Sequence, residues 1–90
     1  MNDRQITVEF FGVPRQRAGC ASTLVAARTV AEALVAVEKQ HPGLRGLLGA
    51  DGSVAAQYRV SIDGQQFITR PDVAVQPTQH ILILSADAGG

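Results

Sequence analysis

Apolar and polar residues alternate near the start of the chain. Across residues 5–11, Ile6, Val8 and Phe10 fall on one side and Thr7, Glu9 and Phe11 on the other. A period of two predicts a β-strand with one covered face. Pro14, Arg15, Arg17 and Gly19 then interrupt the alternation and predict a loop, because proline lacks the donor a sheet needs and glycine permits positive φ. A second strand is predicted over residues 22–27, close enough to the first for an antiparallel hairpin. The period then changes. Thr29-Val30-Ala31-Glu32 has the form of a capping box, in which the Thr hydroxyl accepts from the N–H three residues on and the Glu reaches back. Behind it Val30, Ala33, Leu34, Val37 and His41 share one helical face, while Glu32, Ala36, Lys39 and Gln40 lie largely on the other. The helix is predicted to stop near Gln40, since Pro42 disfavours the helical conformation at His41 and Gly43 offers a left-handed turn.

Beyond the helix, Leu44, Leu47 and Leu48 have the spacing of a short helical turn, but Gly46, Gly49 and Gly52 argue against a long regular element. Residues 58–62 read as a strand with Tyr58, Val60 and Ile62 on one side. Asp63-Gly64 is a hairpin turn signal, and residues 66–68 are the return strand. The last strand covers residues 80–85. Ile81-Leu82-Ile83-Leu84 is apolar on both faces, as expected for a central strand covered at least partly on each side. The order is strand, strand, helix, strand, short strand, strand. The simplest arrangement packs one helix on one face of a mixed sheet of four to five strands, with the first and last strands adjacent in the middle. This is an α+β, β-grasp layout, with residues 1–85 as one domain and residues 86–90 as a tail.

Composition narrows the function. Eight basic and eight acidic residues cancel, which argues against a protein held to nucleic acid by phosphate neutralisation. With 46% apolar and 18% charged residues, the chain is not compositionally disordered. No apolar run approaches a membrane span, and the start is too short in apolar residues for a signal peptide, so a cytoplasmic protein with no membrane or nucleic-acid partner is expected. The single cysteine, Cys20, excludes an internal disulfide and an iron–sulfur cluster built within one chain. Gly19 and Ala21 beside it supply no base, so an unreactive thiol is the simpler reading. His41 and His80 lack a paired ligand at metal spacing. Gly46, Gly49 and Gly52 do not form a phosphate loop, which needs a following Lys-Ser/Thr and a helix. No internal catalytic centre emerges, so the chain is expected not to be an enzyme.

Two features remain. Phe11 points opposite to Phe10, and if Phe10 packs under the helix, Phe11 lies on the open face of the sheet, where Leu82 and Leu84 join it if the last strand has the matching phase. Such an exposed patch marks a partner site unless residues 44–57 cover it. Arg15 and Arg17 fit an acidic partner patch or stand as solvated loop charges. The second feature is the terminal Ala86-Asp87-Ala88-Gly89-Gly90. Gly is 9 of 90 residues, so a Gly-Gly end is modest evidence alone; directly after the last strand of this layout it carries more weight. Two residues without Cβ make a thin tail able to enter a narrow channel. A terminal α-carboxylate, with a reference pKa of about 3.3–3.7, is ionised at neutral pH and resists nucleophilic attack until it is converted to an acyl adenylate.

The element order, the opening Val8-Glu9-Phe10-Phe11-Gly12-Val13-Pro14-Arg15 and the final Gly89-Gly90 resemble the MoaD/ThiS family of ubiquitin-like sulfur carriers, over essentially the whole chain. The opening is most similar to the small subunit of molybdopterin synthase, with Gly12 where an Ala is usual. The resemblance implies that an E1-like adenylyltransferase of MoeB/ThiF type, using ATP and Mg²⁺, activates Gly90, and that a sulfur donor leaves a thiocarboxylate there. Gly89, Ala88 and Asp87 would give access at the tunnel mouth. A sulfur-accepting synthase of MoaE type, or an analogue, would take the sulfur for the molybdenum cofactor. The carrier itself would bind no cofactor. Pro77-Thr78-Gln79-His80 and Ser85-Ala86-Asp87 depart from the family's Gly-Asp before the last strand and Pro after it. Thiamine, cysteine or another sulfur-containing product, and a ubiquitin-like modifier joined to lysine, therefore stay open.

Overall fold

The computed structural model describes residues 5–86. Five strands form one sheet in the order β2-β1-β5-β3-β4, with β1 (Gln5–Phe10), β2 (Ser22–Ala26), β3 (Tyr58–Ile62), β4 (Gln66–Ile68) and β5 (His80–Ser85). β1 and β5 run parallel at the centre; every other pairing is antiparallel. Ile6, Val8 and Phe10 on β1 and Ile81 and Ile83 on β5 point to one face and are fully or almost fully buried. The helix α2 (Val30–Gln40) lies on that face and buries Val30, Ala33, Leu34 and Val37. Each of the Val and Leu side chains removed from water contributes about 1.5–3 kcal/mol before the entropy of ordering is counted. The α+β, β-grasp layout expected from the pattern is therefore the observed one.

The capping box forms at the start of α2. Thr29 is extended, its hydroxyl accepts from the Glu32 N–H at 3.1 Å, and the Glu32 carboxylate accepts from the Arg28 N–H at 2.8 Å. Thr29→Ala removes the acceptor for one orphan helical donor. It should cost about 1 kcal/mol, read by thermal melting as a fall of roughly 4–8 °C in Tm. At the other end the His41 N–H donates to Val37 O and the helix stops before Pro42. His41 packs its ring edge-on against Phe10, with centroids 5.6 Å apart, and its Nε2 is buried without a partner.

Three details differ from the sequence expectation. The segment after β1 is a short helix, α1 (Val13–Ala18), not a loop. Pro14 sits in its first turn, where a missing N–H costs no helical bond, and Gly19 closes it in the left-handed conformation with its N–H on Arg15 O. Leu47 and Leu48 are not helical: a 3₁₀ turn takes only Pro42–Leu44, after which Glu38 on α2 accepts from the N–H groups of Gly46 and Leu47 and draws the segment under the helix. Gly43 does not adopt the left-handed conformation; it belongs to that 3₁₀ turn. Nearby, Ser53 donates its hydroxyl and N–H to Asp51 and holds that carboxyl below the usual carboxylate range. The Asp63-Gly64 turn is as expected, both residues having positive φ (57° and 72°).

Candidate functional site

The face of the sheet away from α2 settles the phase of β5. Because Ile81 and Ile83 point inward, Leu82 and Leu84 point outward, and both are half-buried. In register, Leu82 stands between Glu9 on β1 and Ser61 on β3, and Ser61 faces Phe67 on β4. Leu84 pairs with Arg59, whose guanidinium lies over the Phe67 ring at 5.5 Å from its centroid. Phe11 extends β1 beyond Phe10, with its N–H donating to Ile83 O at 3.0 Å, so the register carries it toward Leu84. Phe11 is 39% and Phe67 57% exposed, so an apolar strip stays open to solvent at this end of the sheet. Of residues 44–57, Leu44 and Leu47 are buried in the core, while Val54, Ala55 and Ala56 flank the strip in a cleft shared with Arg59 and Phe67 and leave both Phe11 and Phe67 exposed. The Ser61 hydroxyl, flanked by Leu82 and Phe67, is buried without a partner.

At the opposite end of this face the Glu9 carboxylate lies 2.5 Å from the His80 Nδ1, a hydrogen-bonded contact between the two side chains. His80 is thus the first residue of β5 with a carboxylate partner, held further by its N–H on Asp63 Oδ1 at 2.8 Å. Among the described residues no three of His, Cys, Asp and Glu come together as a metal cluster would need, and no helix is long and apolar enough to cross a membrane.

The end of β5 is the root of the tail. Tyr58 pairs with Ser85, and the Ala86 N–H donates to Gln57 O at 2.9 Å. Beside it a cleft of about 390 Å³ is lined by Val13, Arg17, Gln57, Tyr58, Ser85 and Ala86, among others. Arg17, from α1, donates to the Tyr58 hydroxyl at 2.6 Å. Arg15 lies on α1 too, exposed, and lines a separate depression with Gly12, Gly19 and Cys20. The structure thus gathers Leu82 and Leu84 with Phe11 on one face and sets Arg15 apart on the helix. Asp87, Ala88, Gly89 and Gly90 lie outside the described residues. Sequence reasoning passed over Phe67, although a β4 that turns Ile68 inward must turn Phe67 out. It also passed over Arg59, which the same alternation puts beside Leu84.

Solved structures share this architecture. A chain of the BexX/CysO complex of Amycolatopsis orientalis superposes with a TM-score of 0.78 at 24% identity, covering 94% of this chain and 99% of that one. Small archaeal modifier protein 1 of Methanosarcina acetivorans gives 0.74 at 18% identity, with 96% of each chain covered. A chain described as molybdopterin converting factor, subunit 1, from Pyrococcus furiosus gives 0.68 at 17%, covering 90% and 95%. The chain has the ubiquitin-like β-grasp fold. No family model and no curated protein sequence matches it. The β-grasp neighbours span nearly their whole length in these superpositions, so the likeness concerns the entire domain and not one shared motif.

Proposed function

We propose that the chain is a sulfur carrier of the MoaD/ThiS type. An E1-like adenylyltransferase of MoeB/ThiF type, using ATP and Mg²⁺, adenylates the Gly90 carboxylate. A sulfur donor then displaces the adenylate and leaves a thiocarboxylate on Gly90. The observation that carries this reading is the position of β5: the central strand of a β-grasp sheet ends at Ser85 beside an open apolar strip, four residues before Gly89-Gly90. Partner docking on Phe11, Leu82, Leu84 and Phe67, with Arg59 beside them and Arg15 as a separate contact on α1 for acidic groups, would leave Asp87, Ala88, Gly89 and Gly90 to reach the activating centre. The receiver is a MoaE-type synthase making molybdopterin, a reading supported by the likeness to the Pyrococcus furiosus chain. Complex formation with a partner protein is in keeping with the BexX/CysO neighbour.

The test is the mass of the C-terminal peptide after incubation with an E1-like enzyme, ATP, Mg²⁺ and a sulfur source. Sulfur should replace one oxygen on Gly90, and the product should pass its sulfur to a MoaE-type subunit. Absence of any adenylate or thiocarboxylate with such enzymes overturns the reading. A second reading, a modifier joined to lysine amines, is favoured by the likeness to small archaeal modifier protein 1. It would appear in the same experiment as adducts that survive reducing agents. Lys39 is the chain's one lysine, so a side-chain-linked adduct between two copies could branch only there.

A further inference from the structure

Three elements meet where the chain leaves the sheet, and one side-chain bond ties them. Tyr58 opens β3, is 4% exposed, and stands in register with Ser85, the last residue of β5. Its neighbour Gln57 offers the carbonyl that accepts from the Ala86 N–H, the last backbone bond of the described chain. The Tyr58 hydroxyl is held from the far side by Arg17 of α1, 41 residues away in sequence. α1 is itself anchored, because Gly43 of the 3₁₀ turn approaches the Arg17 carbonyl so closely that a Cβ there would lie 2.5 Å from its oxygen. The cleft between α1 and the tail root is lined by both members of the bond and by Ala86.

We infer that Arg17 and Tyr58 are positioning residues: their bond clasps α1 to the start of β3 and so fixes the direction in which the tail leaves Ala86. The inference rests on the tail chemistry proposed above and adds how its entry is made efficient. A tail that must thread a partner's channel loses conformational freedom on binding, of the order of a factor of ten per residue ordered. A root already fixed in the free protein spares that loss for the residues it holds. Tyr58 is suited to the task because its aromatic body is buried in the core while its hydroxyl reaches the surface cleft. Arg17 contributes a planar guanidinium whose N–H donors are fixed in one fork.

The experiment compares the full chain with Tyr58→Phe, Arg17→Ala and Arg17→Lys, and with Val37→Ala as a control that weakens the core away from the tail root. Two readouts are taken. Amide hydrogen exchange at Ala86 reports the root directly, with no partner present. The kcat and KM for adenylation, by an E1-like enzyme with ATP, report its use. Tyr58→Phe and Arg17→Ala should speed exchange at Ala86 and raise KM about tenfold, with kcat within about twofold of the parent, the size expected for one released residue. Arg17→Lys, which keeps a cationic donor, should recover most of both effects. Val37→Ala should leave exchange at Ala86 and KM near the parent values despite a lower Tm.

Unchanged exchange at Ala86 in Tyr58→Phe overturns the clasp, whatever the partner does. So does a rise in KM for Val37→Ala equal to that for Tyr58→Phe, since the effect would then be one of general stability. If the parent chain is not adenylated at all, the tail chemistry fails, and the exchange measurement alone still decides whether the bond holds the root.

Discussion

Leu84→Asp should weaken docking of the activating enzyme roughly a hundredfold while leaving the domain folded. Leu84 points away from α2, so the carboxylate meets water in the free protein and the core of Ile81, Ile83 and Phe10 is untouched. Surface changes of this kind usually move stability by no more than about 0.5 kcal/mol. The partner meets a different situation. Leu84 sits between Phe11 and Arg59, next to the end of β5, at the middle of the strip that the proposed function uses. A carboxylate buried there on docking is stripped of water, displaces an apolar contact, and engages the cross-strand Arg59 that acidic groups of the partner would otherwise meet. A penalty of about 3 kcal/mol, or roughly a hundredfold in Kd, is typical for damage at the centre of an interface. Calorimetric titration with an E1-like enzyme measures it. Leu24→Asp is the matched control: Leu24 is 52% exposed on the same face but belongs to β2, at the edge of the sheet next to Thr7, and should change Kd less than threefold, within about 0.7 kcal/mol. Equal losses at both positions would mean that net charge, not the strip, governs docking. No loss at Leu84 would remove the strip from the interface.

How much of this was legible beforehand depends on the range of the interaction concerned. Alternation and the capping box are local, and they yielded β1, β2, α2, β3, β4 and β5 within a residue at each end. Their arrangement followed because a single amphipathic helix has one sensible place to bury Val30, Ala33, Leu34 and Val37. α1 does not stand out in the sequence, because Pro14 and Gly19 read equally well as breakers of the alternation. Five residues apart, a proline at the start and a glycine at the end are also the punctuation of a one-and-a-half-turn helix, and only the position of the proline within the turn distinguishes the two. The phase of β5 was undetermined because Ile81, Leu82, Ile83 and Leu84 are equally apolar; pairing with β1 fixes it, through Val8 beside Ile81 and Phe10 beside Ile83. The bond from Arg17 to Tyr58 joins residues that no periodicity relates. It comes from packing α1 against the end of β5, a contact made only once the sheet exists. The proposed chemistry, by contrast, rests on Gly89-Gly90 and the family resemblance, and the fold adds the root and the neighbouring face.

Gly43→Ala should be among the most destabilising small substitutions in the chain, at about 3 kcal/mol. The sequence suggests that Gly43 is there for a left-handed turn after the helix, yet its backbone lies in the 3₁₀ turn Pro42–Leu44 and has no positive φ. The reason for glycine is the neighbour. A methyl group at this position would sit 2.5 Å from the Arg17 carbonyl oxygen, 3.3 Å from its carbonyl carbon and 3.7 Å from its Cα, all backbone atoms of α1. No rotamer change relieves such a contact; either α1 or the 3₁₀ turn has to move. The turn is held by Leu44, fully buried, and by the His41 O bond to the Leu44 N–H at 2.8 Å. α1 is held by Pro14, which is buried, and by the Arg17 bond to Tyr58. Overpacking between rigid neighbours costs about 1–3 kcal/mol, and a clash that is backbone on both sides belongs at the upper end. For a domain of this size that corresponds to a fall of roughly 12–24 °C in Tm. Gly49→Ala gives the comparison, because a Cβ there meets the Asp51 side chain at 3.4 Å and the Ser53 carbonyl at 3.6 Å, both ordinary van der Waals contacts. Its Tm should fall by no more than about 4 °C. A Gly43→Ala protein that melts like Gly49→Ala would show that α1 yields freely. The tail root would then be hinged at that helix, and Tyr58→Phe would have no fixed partner to release.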